Sequence, residues 1–155
     1  MAERINFADC YVLTHQRSYT FLLSFLNHFL PHREPYASEF EVPQHAEFPD
    51  RVFRAADDLM RYLEQHPNEV HAIYWENKGA STIRAAMCLY TSDGQVIVGL
   101  TSETNFPDTM LERQCLQQLE NFCNSSISLI EYDTPAAKDT AEFLQRIKAQ
   151  TTTTK

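Results

Sequence analysis

His28 and His32 stand four residues apart, the spacing that sets two imidazoles on one helical face and, in the order His-Glu-x-x-His, builds a zinc site. Pro31 breaks any helix between them and the glutamate is missing, so structural or exposed histidines are the simpler reading. Two cysteine–histidine pairs, Cys10 with His15 and Cys88 with His71, would supply a nucleophile and its base if the fold brought them together. Cys88 falls between Met87 and Leu89 in a strand-like run, which suits a buried, inert thiol. Glu39 and Glu41 would need burial to separate their pKa values before they could act as a general acid and base. A solvated strand face is the simpler account of that pair. No catalytic residue, metal ligand or cofactor is therefore assigned.

The glycines exclude more. With only Gly79, Gly94 and Gly99 present, neither a P-loop nor a G-x-G-x-x-G phosphate cradle can be written, and there is no G-x-S-x-G nucleophile elbow. The four cysteines, Cys10, Cys88, Cys115 and Cys123, contain no C-x-x-C pair, and free buried thiols are expected.

The formal net charge is −8, and residues 1–77 carry most of it, with 6 basic against 12 acidic side chains. An acidic body repels phosphate backbones, which disfavours nucleic acid and favours a basic partner. The same charge also serves plain solubility. No apolar run approaches the ~20 residues that cross a bilayer. The most apolar stretch, Tyr19 to Leu30, lies too far in to serve as a signal peptide, so no membrane association and a cytoplasmic location are expected.

The elements that must position these groups centre on residues 70–102. Ser92-Asp93-Gly94-Gln95 between two alternating apolar runs predicts a two-residue type I′ hairpin. Val70 to Trp75 adds a third strand, and Asn77-Lys78-Gly79 supplies its turn, giving a three-stranded antiparallel meander. Around it the periodicity predicts a strand over 10–14 and a helix over 17–30 on the stripe Phe21, Leu22, Phe25, Leu26 and Phe29. A half-exposed strand over 36–42 follows, then a second helix from Phe48-Pro49-Asp50 to Gln65. Phe106-Pro107-Asp108 opens a third helix, 126–132 reads as a strand, and Thr134-Pro135 starts a last helix with Ala137, Ala141, Leu144 and Ile147 inward. The expectation is one α+β domain over 1–150, with a mixed or mostly antiparallel sheet and about four packed helices. Residues 151–155 read as a disordered polar tail.

One surface rim stands out. Trp75, Glu76, Asn77 and Lys78, with Tyr90 on the neighbouring strand, combine aromatic, charged and amide groups as interfaces do. Trp75 either anchors a partner there or packs inside under a helix. The runs Tyr74-Trp75-Glu76-Asn77 and Ala86-Met87-Cys88-Leu89-Tyr90-Thr91-Ser92-Asp93-Gly94-Gln95-Val96-Ile97-Val98-Gly99-Leu100 resemble a pattern in small bacterial immunity proteins of polymorphic and contact-dependent toxin systems. That resemblance implies a non-enzymatic cytoplasmic inhibitor that binds and neutralises a cognate toxin domain, and the acidic balance suits a basic toxin. Trp75, Glu76, Asn77, Tyr90, Glu39 and Glu41 are then the expected partner-binding residues. A small enzyme or small-molecule binder whose site assembles only in three dimensions, and a structural or adaptor homodimer, are the other readings.

Overall fold

The meander forms the middle of a larger sheet. In the computed structural model, which describes residues 4–153 with side chains through Thr151, β5 (His71–Asn77), β6 (Ile83–Tyr90) and β7 (Val96–Glu103) pair antiparallel in sequence. β1 (Phe7–Thr14) lies beside β7, β8 (Ser128–Glu131) beside β1, and the short β2 (Arg33–Pro35) beside β5. The order is β2-β5-β6-β7-β1-β8, antiparallel throughout. The α+β expectation is met.

The hairpin between β6 and β7 departs from the expected turn. A type I′ turn needs positive φ at both central residues, and here Gly94 has φ 83 while Asp93 does not join it. Thr91 closes a wider loop instead: its N–H donates to Gln95 O (3.0 Å) and its hydroxyl accepts from Gln95 N (3.0 Å). The Thr91 side chain thus competes for the backbone and moves the turn outward.

α1 (Tyr19–Phe29) is capped by Ser18, whose hydroxyl accepts from Phe21 N, and buries Leu22, Phe25, Leu26 and Phe29. The strand expected over 36–42 is split. Tyr36 N still donates to Tyr74 O (3.0 Å), whereas β3 (Phe40–Val42) turns away and pairs with β4 (Arg51–Phe53). That pairing also corrects the second helix, because residues 51–53 are taken as a strand and α2 runs from Ala56 to Gln65. α3 (Met110–Cys123) likewise begins after Phe106-Pro107-Asp108, with Asp108 Oδ1 accepting from Met110 N, and ends on Asn124 in the left-handed conformation. α4 (Thr140–Thr153) starts later than Thr134-Pro135, with Asp139 Oδ1 accepting from Glu142 N. The later start shifts the helix phase, so Phe143 is the buried side chain while Ala141 and Leu144 are exposed. α4 continues three residues into the expected polar tail; residues 154 and 155 lie outside the described residues.

The helices divide unequally over the sheet. α1, α2 and α3 cover the face that carries Cys10, Val12, Ile73, Trp75, Ala86, Cys88, Val98 and Leu100. α4 alone packs on the other face, against Tyr11, Leu13, Met87, Leu89, Ile97 and Leu129. There Gly99 makes room for its neighbours: a Cβ would meet Met87 Cε and Tyr11 Cδ1 at 2.8 Å. Gly99→Val is expected to destabilise by ~1–3 kcal/mol through this crowding, read as a lower urea midpoint.

Arg17, just before α1, ties three segments together. Its buried guanidinium donates to the carbonyls of Leu63 (3.0 Å), His66 (2.9 Å), Glu69 (2.9 Å), Thr91 (2.9 Å) and Gln95 (3.0 Å) and lies 4.9 Å from the Tyr90 ring centre. The cation answers the exposed carbonyls at the end of α2.

Candidate functional site

Residues paired across neighbouring strands point to the same face. On the α4 side this rule aligns Glu34, Glu76, Ala85, Thr101, Asp9 and Glu131 in a single row across the whole sheet. The next row holds Tyr36, Tyr74, Met87, Gly99, Tyr11 and Leu129. α4 covers one end: Phe143 meets Tyr11 edge-on, and Arg146 binds Glu131 (2.7 Å) and Glu142 (2.6 Å). The other end is open. There Tyr74 of β5 is 41% exposed. Lys78 sits between Glu76 (3.2 Å) and Glu34 (3.6 Å), and these carboxylates raise the affinity of its ammonium for its proton.

Burial raises the pKa of Asp9 above the ordinary carboxylate value, Asp133 raises it further, and the Thr101 hydroxyl at 2.8 Å opposes the shift. Glu131 is raised by burial too, against the pull of Arg146. For an acid whose folded pKa lies above its unfolded one, the stabilisation is present below the unfolded value and is lost as pH rises through the folded value. The Asp9 charge therefore costs stability at neutral pH. Asp9→Asn, which keeps an acceptor for Thr101, is expected to raise the melting temperature at pH 7 and to leave it unchanged near pH 3. An equal gain at both pH values would count against this account.

The structure separates the six sequence-derived site residues. Three of them are corrected from rim to interior: Trp75 is 2% exposed, Tyr90 2% and Asn77 4%. Trp75 points to the three-helix face, Tyr90 lies under Arg17, and Asn77 holds the β5–β6 turn by donating to Ile83 O (2.7 Å) and accepting from Gly79 N (2.8 Å). Glu76 lies on the open face. Glu39 and Glu41 line a small cleft of 160 Å³ with Tyr36 and Tyr74, at the margin of that face. Gln44 closes the cleft by imitating a strand, accepting from Ala72 N (2.8 Å) and donating to Ala72 O (3.1 Å). Asp9, Glu34, Tyr74 and Thr101 were not singled out by sequence. Their signal, a polar or aromatic residue alternating with core residues, is visible only once the strand partners are known.

The pairs considered for chemistry end in different surroundings. Cys88 is fully buried and burial pushes its thiol pKa up, while both ring nitrogens of the buried His71 face carbonyls, at Glu41 O (2.9 Å) and Ala72 O (3.2 Å). Cys10 donates to Glu112 O (3.4 Å) in the core, whereas His15 is exposed beyond the end of β1. His28 stacks near Phe122 (5.2 Å) on α1, and among the described residues no group of three or more His, Cys, Asp or Glu side chains is arranged to hold a metal. The four cysteines are free thiols. Among the described residues no helix is long and apolar enough to cross a membrane.

No protein-family model, no curated protein and no solved structure matches the chain.

Proposed function

We propose that this chain is a protein-binding module, a cytoplasmic inhibitor of the immunity type, whose open sheet face captures a basic toxin domain. The observation that carries the reading is the cross-strand run of Glu34, Glu76 and Asp9 beside the exposed Tyr74. At ~4.8 Å between strands the open run from Glu34 to Asp9 spans about 19 Å, the breadth of a protein contact. Its charge would steer a basic partner at long range, and the tyrosines would supply contact area at low entropic cost. A carboxylate such as Asp9, kept where its charge costs stability, fits a group retained for binding. The same field disfavours nucleic acid as the ligand.

The test is capture from lysate with the tagged chain, washed at low and then high salt, beside Glu34→Gln/Asp9→Asn/Glu76→Gln. A single stoichiometric basic protein, released by salt and at least tenfold depleted with the triple variant, is the expected result. A partner held equally by the variant, or an acidic partner indifferent to salt, would overturn the reading.

A further inference from the structure

The two edges of the sheet are finished differently. At β2 the edge is three residues long and ends in Pro35, which has no N–H to offer, and beyond it Gln44 occupies both groups of Ala72. Short strands, proline and side-chain caps are how an edge is closed to further pairing. β8 carries neither proline nor lysine, and its strand-forming sequence continues from the exposed Ile127. Its pairing with β1 fixes which groups point outward. Leu13 N donates to Ile127 O (2.8 Å), and Cys10 lies opposite Ile130. Antiparallel residues alternate between bonded and unbonded pairs, so the N–H and C=O of Ser128 and Ile130 face away from β1.

Along that outward side runs a hollow of 590 Å³. Thr109, at the start of α3, and Arg113 and Leu116 of α3 form one wall, Gln150 of α4 stands on the other, and Ser128 to Glu131 form the base. Gln150 Nε2 donates to Ile130 O (3.2 Å), a rung of the kind Gln44 makes at the opposite edge.

We propose that this slot is a strand-addition site, in which an extended, acidic peptide segment of another protein pairs with Ser128 and Ile130 between α3 and α4. Outward backbone groups specify an extended main chain as occupant. The walls bear on its bulk: residues of α3 and α4 flank this edge, and a second copy pairing through its own β8 would bring the same two helices against them, whereas a lone extended segment brings none. Charge sets its side chains. Glu131 at the base is held by Arg146, whereas Arg113 at the wall is bonded through Nε to Thr109 Oγ1 (2.8 Å) and forms no ion pair among the described residues. A carboxylate on the incoming segment would meet that guanidinium. The site lies at the far edge from Tyr74 and Glu76, so it stands or falls apart from the acidic face.

The probe is an acetylated, amidated hexapeptide alternating threonine and valine with one aspartate, beside its lysine counterpart, and the readout is amide hydrogen exchange. The aspartate peptide is expected to slow exchange at Ser128 and Ile130 at least tenfold and to bind about tenfold more tightly than the lysine peptide, a preference lost in Arg113→Gln. Ile130→Pro deletes an N–H that the fold does not use, and should abolish the protection while the variant still melts cooperatively. The wild-type exchange needs no variant, so a misfolded proline chain leaves the test intact. No slowing at millimolar peptide would overturn the proposal. A dimeric wild-type chain with both amides already protected would assign the edge to a second copy and overturn it equally.

Discussion

Arg17→Met is expected to lower the stability of the folded chain by ~4 kcal/mol or more, a large part of what a domain of this size has. Methionine fills much of the same volume, so the loss isolates the five hydrogen bonds to Leu63, His66, Glu69, Thr91 and Gln95. Those carbonyls come from the end of α2, the connector to β5 and the β6–β7 turn, and their desolvation is paid for by one cation. Arg17→Lys should fall between, since an ammonium has three donors to offer five acceptors. The measurement is the urea midpoint at constant slope; a loss below about 1 kcal/mol would mean that water replaces the guanidinium without penalty.

Trp75→Ala and Tyr74→Ala should divide cleanly, although the residues are neighbours in the chain. Consecutive strand residues point to opposite faces. Trp75, 2% exposed on the three-helix side, should cost ~3–5 kcal/mol when truncated, through the cavity it leaves. Tyr74, 41% exposed on the other side, should cost less than about 1 kcal/mol in folding yet weaken capture of a basic partner at least tenfold. Denaturant unfolding and partner titration of both variants check this. A Trp75→Ala chain that melts like the wild type and loses its partner would return tryptophan to the role of anchor.

This pair shows what was legible in the sequence. The run Val70 to Trp75 marks a strand by composition, but both of its faces carry apolar groups, so the parity that decides which face is covered is not local. The meander and α1 were readable because a dense period of two or of 3.6 outweighs everything else over eight or more residues. β3 and β4 were not, since three residues make no period, and Pro49-Asp50 carries helix-start chemistry that pairing with Phe40–Val42 overrides. The open face was the least legible part. Thr101 bonds Asp9 across 92 positions of sequence, and only the placement of β1 between β7 and β8 puts Asp9 in line with Glu76 and Glu131. Glu76 was reached as a neighbour of Trp75, and Glu39 and Glu41 by acidity, and neither signal carries direction.

The strand order also bears on when the molecule becomes competent. β1 is made first, yet both strands that flank it are made late, and closing so long a loop is slow compared with forming the meander. A chain still emerging from the ribosome could assemble β5, β6 and β7, but it would hold Asp9 away from the row until β7 had formed, and Glu131 would be absent until β8 was made. The acidic row is thus completed only once β8 is made, and a chain clipped before β8 would keep its central hairpins while losing one end of that row.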